Sequence, residues 1–224
     1  IRDQEDYYTA MEWYEKFGEN GDRSVADARI EAAEIAAIAM EEPPTRFIVE
    51  PMIIVNSPFY DFAPVYASKK SDVLVFASSR LEATGSAEDP ITGERFMDLF
   101  TTKQDKKGDW ITPEQLPNLC SEANEGSASF DKRFKTIYFT RCVDQDGSNL
   151  ACDIYYAPVE RGGVYGAPQP LFFVDREQDD STQIGHPALS LDDNYMVFAS
   201  DLPGGFGGKD LWFAAYNEDN QEWG

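Results

Sequence analysis

The sequence predicts a mainly β protein: part of a β-propeller, about three four-stranded blades, preceded by an α-helical hairpin. Three observations predict it. First, a pair of β-type runs recurs three times: DVLVFASSR (Asp72–Arg80) with MDLFTT (Met97–Thr102), KTIYFTRC (Lys135–Cys142) with CDIYYA (Cys152–Ala157), and YMVFAS (Tyr195–Ser200) with KDLWFAA (Lys209–Ala215). Second, the landmarks keep their order and spacing. Phe76, Phe139 and Phe198 lie 63 and 59 residues apart, and Asp98, Asp153 and Asp210 lie 55 and 57 apart. Third, an aromatic marker follows each pair, Trp110, Tyr165 and Trp223, spaced 55 and 58 residues. Self-similarity at this period, with several strands per repeat, is the signature of a propeller or a related array.

The chain opens with helix. In Gln4–Phe17, the side chains Tyr7, Ala10, Met11, Tyr14 and Phe17 share one apolar face at helical spacing. Gly18, Asn20 and Gly21 break it. Ser24 with Asp27 three residues later reads as a capping box, opening a second helix that runs to about Glu42, where Pro43-Pro44 stops it. Its alanines (Ala26, Ala28, Ala32, Ala33, Ala36, Ala37 and Ala39) permit close helix approach. The pair resembles a hairpin of tetratricopeptide type, with AMEWYEK (Ala10–Lys16) suiting the first helix and a proline closing the unit. One such hairpin cannot bury both of its faces, so it is expected to end a longer helical array.

The expected organisation is therefore a hairpin over residues 1–44, a connector over 45–60 and blades over 61–224. TRFIVEPMIIV (Thr45–Val55) is apolar and extended, a connector that doubles as a candidate first strand. In the first repeat, strands are expected near Ala63–Tyr66, Val73–Ala77, Phe96–Thr101 and Trp110–Leu116, with a long insertion at Leu81–Glu94. In the second they are expected near Ser127–Phe130, Thr136–Thr140, Asp153–Ala157 and Gln169–Val174. The third starts at Pro187 and stops just after Trp223. Three blades cannot close a ring, about four being the minimum. The sequence is accordingly expected to be a piece of a longer protein. The aromatic stripe Tyr195, Phe198, Trp212 and Phe213 is expected to be partly exposed and to drive association.

With 224 residues, 42% hydrophobic and 13% aromatic, the chain has the material for a packed core. The formal net charge of −22, from 41 acidic and 19 basic residues, excludes nucleic acid as a partner, because phosphates would be repelled. The acidity gives a well-solvated surface or a docking face for a basic partner. No apolar run approaches about 18 residues, so no transmembrane span is expected. The chain begins at Ile1 without methionine, compatible with a leader that was removed or lies outside this sequence.

Three segments, NSPFYDFAPVYASKKSDVLVFASSR (Asn56–Arg80), NEGSASFDKRFKTIYFTRC (Asn124–Cys142) and GHPALSLDDNYMVFASDLPGGFGGKDLWFA (Gly185–Ala214), resemble WD40-like propeller repeats of the TolB-related type. Their order after a tetratricopeptide-like hairpin resembles Bacteroidetes OmpA-family proteins of the PorE type. That resemblance implies a periplasmic, outer-membrane-associated scaffold serving type IX secretion or gliding machinery. It also implies other envelope or secretion-system proteins as partners, and peptidoglycan contact through a C-terminal domain not in this chain.

Cys142 and Cys152 bracket a hairpin turn, DQDGSN (Asp144–Asn149), and are the disulfide candidate expected of an exported protein. The alternative is two buried thiols in adjacent strands. Cys120 is left over, and with no CxxC there is no zinc or redox motif.

Catalytic patterns are missing: no GxSxG elbow, P-loop or HExxH occurs. His186 is the single histidine and reads as structural. PGGFGG (Pro203–Gly208) leads into a strand and lacks the lysine–serine/threonine pair of a phosphate loop, so it reads as a wide blade loop. Asp144, Asp146, Gly147 and Asn149 make a partial calcium loop without its bidentate glutamate, which favours a plain turn. Asp98, Asp153 and Asp210 recur in every repeat. A catalytic acid is needed once, so they read as structural, fixing the turn into the third strand. The same logic assigns Phe76, Phe139 and Phe198 to the repeat core. No catalytic, cofactor-binding or metal residue is assigned, and no cofactor. The expected function is a non-enzymatic scaffold; a carbohydrate-binding or carbohydrate-active propeller is the alternative.

Overall fold

A computed structural model describes residues 6–41, 48–84, 88, 93–144, 150–175 and 181–224. The chain divides into two compact units, Ile1–Pro51 and Met52–Gly224. Among the described residues, no helix is long and apolar enough to cross a membrane.

The first unit holds α1 (Tyr7–Asn20) and α2 (Arg23–Glu41). Asp6 caps α1 by accepting from the Thr9 backbone N–H, and Gly21 ends it by donating to Phe17 O. The helix thus runs three residues past the expected stop: Gly18 stays helical, because its missing Cβ lets α2 approach. A Cβ there would lie 2.9 Å from Cβ of Ala26. The expected capping box is corrected. The cap of α2 is Asp22, whose Oδ1 accepts from the backbone N–H groups of Ser24 and Val25. Ser24 lies inside the helix, and Asp27 instead pairs with Arg23 at 2.7 Å. Ala26, Ala33 and Ala37 form the buried line of α2. Glu42 and Pro43-Pro44 lie outside the described residues.

Among the described residues, the second unit contains three four-stranded antiparallel sheets, each a simple meander. The first comprises β1 (Asp61–Tyr66), β2 (Val73–Ser78), β3 (Asp98–Lys103) and β4 (Glu114–Gln115). The second comprises β5 (Asn124–Phe130), β6 (Thr136–Asp144), β7 (Leu150–Pro158) and β8 (Gln169–Leu171). The third comprises β9 (Ile184–Leu189), β10 (Tyr195–Ser200), β11 (Asp210–Asn217) and β12 (Glu222–Trp223). The described part of the 45–60 segment, from residue 48, forms no strand; Met52 and Val55 pack against the first sheet instead. The fourth strands are shorter than the sequence suggested. Half of the expected insertion at 81–94, and the hairpin turn at 144–149 except for residue 144, lie outside the described residues.

The opening strand of each sheet starts two or three residues before its expected position, for one repeated reason. Ala63, Ser127 and His186 all have positive φ (50°, 47° and 56°), and each sits where the register to the second strand shifts. This β-bulge interrupts the alternation of side chains, so a periodicity reading finds only the stretch beyond it. Ser71, Phe134 and Asp193 repeat a second left-handed position (φ 55°, 55° and 64°), two residues before each second strand. Backbone conformations that non-glycine residues seldom adopt thus recur at matching positions in all three sheets.

The second and third strands pair in the same register throughout: Phe76↔Phe100 and Ser78↔Asp98, Phe139↔Tyr155 and Arg141↔Asp153, Phe198↔Trp212 and Ser200↔Asp210. Each sheet then buries its phenylalanine face against what precedes it. Phe76 and Phe100 pack on Met52 and Val55, with Ala83 and Trp110. Ile137, Phe139 and Tyr165 pack on Val75 and Leu99 of the first sheet. Met196, Phe198 and Trp223 pack on Ile154 and Tyr138 of the second. The opposite face of the third sheet is open: Tyr195, Val197, Leu211 and Phe213 are 49%, 40%, 81% and 70% exposed. The expected partly exposed stripe is corrected at Phe198, which is buried because side chains alternate along a strand; Trp212 is partly buried beside it.

Cys142 and Cys152, directly paired across β6 and β7, form a disulfide. Its closed loop is worth about 2–3 kcal/mol by the chain-entropy model.

Candidate functional site

Carboxylates at the start of the first two sheets organise the polar interior. Asp61 receives Arg80 at 2.7 Å and the hydroxyl of Ser78 at 2.6 Å, while Ser57 donates its backbone N–H and hydroxyl to the other oxygen. Glu125 occupies the matching position in the second sheet, bound by Arg141 at 2.8 Å and by the Ser121 hydroxyl and N–H. Both arginines also donate to a main-chain carbonyl, Val55 O and Leu119 O. Each guanidinium lies over two rings of the phenylalanine face: Arg80 is 5.1 Å from Phe76 and 4.9 Å from Phe100, and Arg141 is 5.6 Å from Phe139 and 4.7 Å from Tyr155. In the third sheet the equivalent of the carboxylate is Ile184, which is buried in apolar contacts.

The two carboxylates titrate oppositely. Burial favours protonation of Asp61, but hydrogen bonds from Ser78, Arg80 and Ser57 outweigh it and hold the group below its ordinary value. Burial wins at Glu125: despite Ser121 and Arg141, the group is pushed up to about 7, with the Asp98 charge adding to the rise. Between pH 4.5 and 7, therefore, folded Glu125 keeps a proton that the unfolded chain has lost, and stability falls as pH rises through this window. Glu125→Gln is expected to flatten that part of the profile, read from urea midpoints at several pH values; an unchanged slope would place the titrating group elsewhere.

Asp98, Cys120 and Glu125 offer ligand-type atoms within 4.8 Å of one another. Asp98 Oδ2 accepts from the Thr84 N–H at 2.6 Å and from the Gln115 side-chain amide, while Oδ1 is buried with no hydrogen-bond partner. Burial, helped by the Asp98 charge, pushes the Cys120 thiol up to about 12 and keeps it protonated. A protonated thiol, and a glutamate already engaged by arginine, make a poor donor set for a cation.

The recurring aspartates sit at matching register positions. Asp98 holds the loop before β3 through Thr84, and Asp210 holds the loop before β11 by accepting from the N–H groups of Phe206 and Gly207. Asp153 is buried three residues inside β7, because that hairpin is longer. The glycines of Pro203–Gly208 serve this turn rather than a phosphate cradle; the segment enters a strand. Of the partial calcium loop, Asp146, Gly147 and Asn149 lie outside the described residues.

His186 is brought to a place that sequence reasoning did not find. β1, β5 and β9 converge on a cleft of about 200 Å³ whose lining includes Phe62, Glu125, Ser127, Thr140, His186 and Lys209. The disulfide also lines it. Ser127 Oγ lies 2.8 Å from His186 Nδ1, and the His186 backbone N–H donates to Thr140 Oγ1 at 2.7 Å. Gly185 permits this approach, since a Cβ there would fall 2.8 Å from the Thr140 methyl group. The two bulges align Ser127 with His186 across 59 residues of sequence, which no local motif reveals. Burial, then the nearby Lys209 charge, lowers the His186 pKa, so the ring is neutral at pH 7.

Compared with known proteins, the sequence matches no family model, and no curated protein matches it.

Proposed function

We propose that the second unit is part of a β-propeller, and that the chain is a non-enzymatic scaffold of the periplasm, associated with the outer membrane and serving secretion or gliding machinery. The observation that carries this reading is the repeated packing rule. Three sheets of one design bury their phenylalanine faces in sequence, and the face left open on the third corresponds to those covered on the first two. Such a stack is a platform of rigid sheets. The Cys142–Cys152 disulfide suits an oxidising compartment. The buried arginine–carboxylate pairs are explained by packing within each sheet, without recourse to chemistry on a substrate.

The sequence resemblance supplies the specific setting: envelope or secretion-system proteins as partners, and peptidoglycan through a C-terminal domain outside this sequence. Purification of the native complex tests it. The protein is expected in the periplasmic and outer-membrane fractions, oxidised at Cys142 and Cys152, eluting with secretion-machinery proteins. Recovery from the cytoplasm with both thiols free would overturn the assignment. Turnover of a glycan by the purified protein would favour a carbohydrate-active propeller.

A further inference from the structure

We propose that the cleft at the convergence of β1, β5 and β9 binds a carboxylate group, held by Lys209 Nζ and the Nε2–H of His186. In this proposal the Ser127 hydroxyl, which has no other acceptor among the described residues, donates to Nδ1, 2.8 Å away. A neutral ring accepting at Nδ1 carries its proton on Nε2, which makes no hydrogen bond within the described residues. The main chain is anchored as well, because the His186 N–H donates to Thr140 Oγ1.

In a chain with 41 acidic residues against 19 basic ones, Lys209 has no ion-pair partner among the described residues. Its charge is nonetheless close enough to the His186 ring to lower its pKa. The cleft therefore presents one exposed cation and one neutral ring. The carboxylate already present in the lining, Glu125, is engaged by Arg141 and Ser121. It leaves those two donors unanswered.

A cleft of about 200 Å³ holds roughly six water volumes, enough for a small organic acid or the last residue of a peptide but not for a large cofactor. Two donors lining one cleft suit the two oxygens of a carboxylate, with the charge-assisted bond from lysine as the stronger.

The single histidine of the chain makes the test direct, because the His186 Cε1–H resonance needs no assignment by elimination. The folded protein is titrated with sodium acetate, with acetyl-dialanine and with its C-terminal amide, at ionic strength held constant with sodium chloride. Saturable shifts of the His186 signal in the millimolar range are expected with a free carboxylate and not with the amide. A response to acetate and peptide acid alike identifies any small carboxylate as sufficient; a response to the peptide acid alone identifies a peptide terminus. Lys209→Met is expected to weaken binding about tenfold while leaving the free-state resonance sharp. Ser127→Ala is expected to shift the ring toward the other tautomer, seen in its ¹⁵N shifts. No saturable shift, an equal response to chloride or to the amide, or unchanged binding in Lys209→Met would each overturn the proposal.

Discussion

Above pH 7, where Glu125 is ionised, Arg141→Ala is expected to destabilise the second unit by about 3–5 kcal/mol, because it strands a buried charge. Glu125 has no solvent exposure, and the Arg141 side chain is only 15% exposed. Removing the guanidinium deletes an ion pair, a hydrogen bond to Leu119 O and the cation stacked on Phe139 and Tyr155. The Glu125 carboxylate would then face Asp98 without compensation and take up a proton more readily still. A urea midpoint series measures the loss. The double variant Arg141→Met with Glu125→Leu is expected to recover most of it, since apolar replacement of both partners removes the desolvation cost. A single variant as stable as the parent would show that solvent reaches the pair.

Phe139→Ala is expected to cost about 3–5 kcal/mol, and Phe213→Ala to stay within about 0.5 kcal/mol. Both are phenylalanines of repeated strands, but they lie on opposite kinds of face. Phe139 has no exposed surface and sits between Val75 and Leu99 of one sheet and the rings of its own. Phe213 is 70% exposed and touches Tyr195 edge-on. Equal losses at the two positions, measured in one denaturation series, would mean that the open face of the third sheet is covered in solution.

The repeated strands were legible because their side chains obey local rules. Phe76, Phe139 and Phe198 announce themselves by flanking apolar residues, and the second strands, Val73–Ser78, Thr136–Asp144 and Tyr195–Ser200, fall within a few residues of expectation. The first strands were misplaced because the left-handed residues Ala63, Ser127 and His186 look ordinary as letters; only backbone geometry marks them. The cap of α2 was misread because Ser24 and Asp22 are both capping types, and choosing between them depends on where the chain enters the helix. Exposure of the last stripe was half right, since alternation sends Tyr195 and Phe213 outward and Phe198 and Trp212 inward. The cleft was illegible. Ser127, Thr140, His186 and Lys209 come from two sheets, and the bond that orients the histidine joins two strands related by no local spacing.

The packing rule of the three sheets also has a direction in time. Each phenylalanine face is covered by residues that include earlier parts of the chain: Met52 and Val55 for the first sheet, Val75 and Leu99 for the second, Tyr138 and Ile154 for the third. Each sheet is itself a meander of neighbouring strands, so its internal pairings close short loops. A chain emerging from a ribosome or a translocation channel therefore meets, at every stage, a partner surface that has already been made. Growth from the N-terminus is then expected to leave one sheet face exposed at a time.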